Sequence, residues 1–274
     1  LLGRGAFPGG HALALDMLGM HGTAYANWAI HESDLIIALG VRFDDRVTGN
    51  PKAWAPNAKV IHVDIDRAEL GKIRFAQVPI WGDVKTVIKQ LQGATSPKNH
   101  AEWNERLDKW KADAPLTYEK TGHLKPQFIL EELQKATDGE AIMTTDVGQH
   151  QMWAAQYYHP KRTRSFITSG GLGTMGYGYP AAIGAKVGCI MGHRPDVDVW
   201  CITGDGSFQM NIQELATGVI YDIPVKVAVL NNSSLGMVRQ WQKLFYSKRW
   251  SGIDLTKCPD FEKIAQAYSA TGVT

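Results

Sequence analysis

The sequence predicts an α/β protein of two doubly wound parallel-sheet domains, both truncated. Two observations carry this. Apolar runs of strand length recur between helix-like segments and end in glycine or a carboxylate, as parallel strands buried on both faces do. A polar stretch over residues 91–125, flanked by Pro and Gly, then interrupts the alternation and reads as a linker between residues 1–90 and 126–274. With 274 residues, 44% hydrophobic and 20% charged, the chain has material for real cores.

In order, the chain opens on "LLGRGAFPG", read as a strand end running into a glycine-rich loop. "GMHG" opens a helix, and "DLIIALG" (34–40) is a continuous apolar strand buried on both faces. "KVIHVDID" (59–66) is a second strand ending in carboxylates, "RAELGKI" a short helix and "VPIWGD" a further strand. The linker holds one amphipathic helix around "AEWNERLDKWKA". "KPQFILEELQKATDG" is a helix with Pro126 near its start and Gly139 past its end. "AIMTTDVG" is a strand and loop, and "GYPAAIGAKVGCIMG" a helix of small residues. "DVWCITGDG", "NIQELATGVIYD" and "PVKVAVLNN" follow as strand, helix and strand, and "AYSATGVT" closes as a helix heading into another strand. With no initiator Met, a piece of a longer polypeptide is expected.

Bulk properties exclude several classes. A net charge of +2 gives no electrostatic footprint for nucleic acid. Cys189, Cys201 and Cys258 are scattered without paired spacing, which argues against a disulfide framework or zinc site and suits a reducing compartment. No apolar run is long enough to span a membrane, so no membrane partner is expected.

The chemistry concentrates at "GDGSF" (204–208), which alone is ordinary turn text. Its context is more demanding. "GDG" and "LNN" end two strands flanking one helix, a crossover whose parallel strands should be neighbours. Asp205 and Asn232 then approach one point, where a carboxylate, an amide oxygen and a loop carbonyl suit Mg²⁺, with phosphate oxygens and water completing the octahedron. Gly204 and Gly206 let the backbone come close to a phosphate.

This arrangement resembles the thiamine-diphosphate motif, with residues 207–230 between GDG and NN. Carried over, the resemblance makes Asp205, Asn232 and the Ser234 carbonyl the metal ligands. "TTDVGQHQMWAAQ" (144–156), "SGGLGTMGYGYPAAIGA" (169–185) and "LGMVRQWQ" (235–242) are similar to the corresponding loops of acetohydroxyacid (acetolactate) synthases. That likeness implies Gln149 and His150 near the diphosphate and Gly173, Thr174 and Met175 near the pyrimidine, Met175 propping the bent cofactor. Gly206, Ser207, Ser233, Leu235, Gly236 and Met237 complete the implied cofactor contacts.

In the first ninety residues, "GMHG" and "GVRFDDR" are phosphate- or ribose-compatible loops, and "HVDID" ends in an acid able to accept from a ribose hydroxyl. Ligand-free loops of a doubly wound sheet explain them equally well. "LGMHGTAYANWAIHESDLIIALGVRFDDRVTG" (18–49) resembles the FAD-binding central domain of the anabolic synthases. The implied flavin contacts are Leu18, Gly19, Met20 and His21; Gly40, Val41, Arg42, Phe43 and Asp44; Asp45 and Arg46; Asp64 and Ile65; and Asp83 and Val84. In that family FAD takes no net redox part.

The resemblance implies a transferase that decarboxylates pyruvate and joins the two-carbon unit to pyruvate or 2-oxobutyrate. The products are 2-acetolactate or 2-aceto-2-hydroxybutyrate, for valine, leucine and isoleucine biosynthesis. Arg46 would fork onto the second acid's carboxylate, and Trp241 would wall the pocket that favours an ethyl over a methyl group. The proton-shuttling glutamate of such enzymes belongs to an N-terminal pyrimidine-binding domain, so this chain alone is expected to be inactive. The expected surroundings are 2-oxo acid substrates, a homodimer or homotetramer, a possible regulatory subunit, and the cytoplasm, or a plastid in a plant or alga. Two rivals remain: another thiamine-diphosphate enzyme (glyoxylate carboligase, pyruvate oxidase or a 2-oxo acid decarboxylase), or a non-catalytic flavin- or nucleotide-binding module.

Overall fold

A computed structural model describes residues 1–274 as two compact units, Leu15–Thr117 and Leu1–Ala14 with Tyr118–Thr274. In the Leu15–Thr117 unit, the Thr23 hydroxyl accepts from the Ala26 N–H and starts α1 (Ala24–Glu32). There follow β1 (Leu35–Leu39), α2 (Asp45–Thr48), β2 (Lys59–Asp64), β3 (Val78–Trp81), α3 (Val84–Ala94) and α4 (Ala101–Asp113). Asp44 and Asp83 cap α2 and α3. The three strands pair in parallel in the order β1-β2-β3. One sheet face packs Ile36, Ala38 and Val60 against Phe43 and Ala55.

Three readings of this unit need correction. β1 is not buried on both faces: Leu35 and Ile37 are 48% and 47% exposed, because β1 is an edge strand with no layer over that side. "RAELGKI" forms only one 3₁₀ turn, Arg67–Glu69, because the backbone turns extended at Leu70. Residues 91–125 are not a free linker throughout: α3 extends into them as far as Ala94, and the expected helix forms as α4 and packs on α1 within the Leu15–Thr117 unit. There Trp28 meets Trp110 at 6.3 Å, while the Arg106 guanidinium lies 4.9 Å from the Trp110 ring and 3.5 Å from Glu32.

In the other unit, the first residues form turns rather than a strand end. Arg4 donates to the Tyr158 carbonyl at 2.6 Å and lies over Phe166. The main body runs α5 (Pro126–Thr137), β4 (Ile142–Thr145), α6 (Gln149–Tyr157), β5 (Phe166–Thr168), α7 (Gly178–Met191) and β6 (Val199–Gly204). It continues through α8 (Asp205–Met210), α9 (Leu215–Ile220), β7 (Lys226–Leu230), α10 (Gly236–Phe245) and α11 (Phe261–Ala267). Sequence reasoning did not identify α6, β5 or α10. The single helix expected after "GDG" is α8, a 3₁₀ turn and α9, with helix beginning at Asp205 itself. No strand follows α11.

The four strands pair in parallel, in the order β5-β4-β6-β7. The chain steps outward from β4 to β5, then returns to the other side of β4 for β6 and β7. Strand order therefore reverses between β4 and β6, the point where open sheets leave a crevice at their carboxyl ends. β6 and β7 are neighbours, as the crossover reading requires. No helix anywhere is long and apolar enough to cross a membrane.

Candidate cofactor and metal site

The crevice past β4, β6 and β7 is built from four segments of the Tyr118–Thr274 unit. Val147–His150 comes from the end of β4, Gly204–Ser207 from β6 into α8, Asn232–Val238 from β7 into α10, and Met175 from the loop before α7. Asp205 is 3% exposed and spends each oxygen on a backbone donor: Gly206 N at 2.8 Å and Ser234 N at 3.2 Å. The same Ser234 N–H reaches the Asn232 side-chain oxygen at 3.1 Å. One amide thus gathers the carboxylate, the side-chain amide and the Ser234 peptide into a cluster of hard oxygen donors. No group of three His, Cys, Asp or Glu residues that could hold a metal occurs in the chain. A metal here would therefore use one carboxylate plus neutral oxygens, and ligand phosphates would complete its shell.

His150, in the first turn of α6, is buried, and burial pushes its pKa down to about 4. A hydrogen bond to the Asp146 backbone occupies one ring nitrogen, while Nε2 is buried without a partner beside the crevice. A neutral imidazole donating from Nδ1 leaves Nε2 as an acceptor for a ligand's hydrogen. Gly204 is needed beneath this ring, since a Cβ there would lie 2.8 Å from Nδ1. Gln149 is held by Gln240 at 2.9 Å. Met175 lines the same crevice beside Gly206. Thr174 N donates to the Ser169 hydroxyl at 3.0 Å, and Gly173 lies exposed beside it. Trp241 meets Phe245 edge to face at 5.5 Å, along α10.

Asp146 escaped sequence reasoning, though "TTDVG" held the signal of a strand-end acid. Its buried carboxylate accepts from Gly178 N at 3.0 Å and from the Thr203 hydroxyl at 2.7 Å, tying β4 to β6 and to the start of α7. Burial raises its pKa against the effect of those bonds.

Two family models match the chain: "Thiamine pyrophosphate enzyme, C-terminal TPP binding domain" over residues 146–274, and the central domain of the same enzymes over residues 1–91. The chain belongs to the thiamine pyrophosphate enzymes. Its Asp205 cluster lies within the match to the cofactor-binding domain. Curated relatives agree: acetolactate synthase of Mycobacterium leprae is 50% identical over the whole chain, which covers 45% of that protein. The isozyme 3 large subunit of Escherichia coli acetolactate synthase is 47% identical, again over the whole chain and 48% of the relative. The large subunit from Buchnera aphidicola of Schizaphis graminum is 48% identical on the same terms. This thiamine pyrophosphate enzyme chain therefore spans about half the length of the curated relatives it matches.

The residues expected to meet a flavin gather at the carboxyl ends of β1, β2 and β3. Asn27 on α1, absent from the sequence expectation, clips Gly19 from both sides, accepting its N–H at 2.8 Å and donating to its carbonyl at 3.0 Å. Met20 N then donates to the Arg46 carbonyl at 2.7 Å, joining the Leu18–His21 loop to α2. His21 has its pKa lowered by burial and by the charge of Arg46. Arg46 is paired with Asp45 at 2.6 Å, and Arg42 lies 3.4 Å from Asp44. Gly40 N donates to the Val63 carbonyl, leading Val41 away from β1. Asp64 accepts from Asp66 N at 2.8 Å, with Ile65 exposed between them. The Asp83 carboxyl is held below the usual range by the Thr86 backbone N–H, ahead of Val84. Phe43 turns its ring into the core against His62 and Trp54, so only its backbone faces the loops.

Proposed function

We propose that this chain is the cofactor-holding part of an acetolactate synthase large subunit. The observation that carries the reading is the convergence of Asp205, Asn232 and Ser234 on one amide beside the unpartnered Nε2 of His150. Asp205, the Asn232 amide oxygen and the Ser234 carbonyl would hold Mg²⁺ and, through it, a diphosphate. The Nε2 of His150 would accept from a donor group of the bound cofactor rather than from its acceptor-only diphosphate, and Gln149 would lie beside it. Met175 offers an unbranched thioether to support the ring system, with Gly173 and Thr174 alongside. Bound thiamine diphosphate would supply the electron sink on which a 2-oxo acid loses CO₂.

The remaining roles rest on relatives and residue chemistry. Arg46 carries the forked cation suited to a 2-oxo acid carboxylate, and Trp241 an apolar wall suited to its alkyl group. FAD in the Leu15–Thr117 unit would be held by Leu18–His21, Gly40–Arg46, Asp64, Ile65, Asp83 and Val84, without net redox work. Pyruvate and 2-oxobutyrate as substrates, a homodimer or homotetramer, a separate regulatory subunit and a cytoplasmic setting belong to the same reading. So does a division into a central domain over 1–90 and a diphosphate domain over 126–274.

The test is thiamine diphosphate binding by calorimetry, with and without Mg²⁺. Binding that requires Mg²⁺ and vanishes in Asp205→Ala supports the reading; metal-independent binding, or an unaffected variant, overturns it. Joined to the N-terminal half of a relative's large subunit, the chain should convert pyruvate to acetolactate, whereas glyoxylate-derived products or acetyl phosphate would point to another enzyme of the family.

A further inference from the structure

Ser233, between two proposed metal ligands, holds a left-handed backbone at φ 53°. A non-glycine residue stays in that region only where its surroundings fix it. They do so through a strap, residues 251–255, that returns past the Asn232–Leu235 turn. Leu235 N donates to the Ile253 carbonyl at 3.0 Å, and Leu255 N donates to the Ser233 carbonyl at 2.9 Å, forming an antiparallel bridge between Ser234 and Asp254. Ile253, with 8% of its surface exposed, anchors the strap in the core.

The register of the strap is set from α10. The Gln242 side chain uses both ends of its amide on Ser251, Nε2 donating to the carbonyl at 2.8 Å and Oε1 accepting the N–H at 3.1 Å. It pairs with Ser251 as a second strand would. Gln242 is half-buried and does not line the crevice.

We propose that Gln242 is a positioning residue for the metal turn: by fixing Ser251 it sets the strap, and the strap holds Ser233 left-handed and aims the Ser234 carbonyl beside Asp205. The proposal rests on Asp205, Asn232 and Ser234 being the metal ligands. Gln242 itself touches neither metal nor cofactor.

The test titrates Mg²⁺ at saturating thiamine diphosphate, reading tryptophan fluorescence, with hydrogen exchange on the metal-free chain as a second measurement. Losing the paired bonds to Ser251 should raise the Mg²⁺ midpoint about tenfold in Gln242→Ala. Gln242→Glu keeps the volume and loses the donor, and should raise it too. Lys243→Ala, an exposed neighbour on α10, should leave it unchanged. In Gln242→Ala the amides of Leu235 and Leu255 should exchange faster while those of β6 do not. A wild-type midpoint in both Gln242 variants, with Asp205→Ala still abolishing the response, overturns the positioning role and leaves the metal reading intact. Unchanged exchange at Leu235 and Leu255 overturns it as well. A response that survives in Asp205→Ala overturns the metal reading, and this inference with it.

Discussion

At the scale of single residues, the site is governed by what burial does to charge. His150 titrates near 6.5 in an unfolded chain and near 4 in its buried place, with desolvation the largest cause. Between those values the unfolded chain binds more protons, so the stability this group contributes is complete above about 6.5 and is lost as pH falls towards 4. The full span is worth about 3 kcal/mol. Urea unfolding at a series of pH values should therefore give a flatter curve for His150→Leu than for the wild type across that window. Parallel curves would remove His150 as the cause. Asp205 and Asn232 stood out in the text, because a glycine-flanked acid and paired asparagines at strand ends leave a pattern, whereas His150 was singled out only through the resemblance. Asp146 and Gln242 were passed over: the acid's place at a strand end was visible in "TTDVG", but its bonds to Gly178 and Thr203, like those of Gln242 to Ser251, join residues that only folding brings together.

Among elements, every strand but β5 was readable, as were α1, α4, α5 and α7, whereas α3 and α10 were not, α3 even though Asp83 caps it. β1 has the same text as a fully buried strand, and only its place at the sheet edge decides that Leu35 and Ile37 stay exposed. β5 has three residues, too few for any periodicity to speak, and α6 shows hardly any amphipathic pattern because polar His150 and Gln151 are among its buried residues. Loop contacts carry as much as elements do. Gly19 has φ 91°, and a Cβ on it would overlap the Arg46 carbonyl and lie 2.8 Å from Val47 Cα, both backbone. Gly19→Ala should therefore destabilise the Leu15–Thr117 unit by about 3 kcal/mol in urea unfolding, combining backbone strain with overpacking. Gly71→Ala, at φ 75° with nothing within 4 Å, should cost only about 1 kcal/mol. Equal losses would mean that strain alone, not the approach of α2, fixes the loop.

For the molecule as a whole, the two units separate the two proposed cofactors. The diphosphate site draws every lining residue from the Tyr118–Thr274 unit. The flavin candidates, Leu18 through Val84, all fall in the Leu15–Thr117 unit. A ligand that binds only the folded form stabilises by about 2.7 kcal/mol at a hundredfold excess over its Kd, and slows exchange of globally protected amides about a hundredfold. Hydrogen exchange with mass spectrometry should then show thiamine diphosphate with Mg²⁺ protecting β4, β6 and β7. FAD should protect β1 and β2. A chain in which FAD leaves β1 and β2 unprotected, while thiamine diphosphate still protects β6, would keep the diphosphate site and lose the flavin. That outcome is informative because the flavin loops are satisfied without a ligand: Asp44 and Asp83 already cap helices, and Arg46 is already paired with Asp45. His150 differs from these capped and paired loop residues, because its Nε2 is buried without a partner beside the crevice itself.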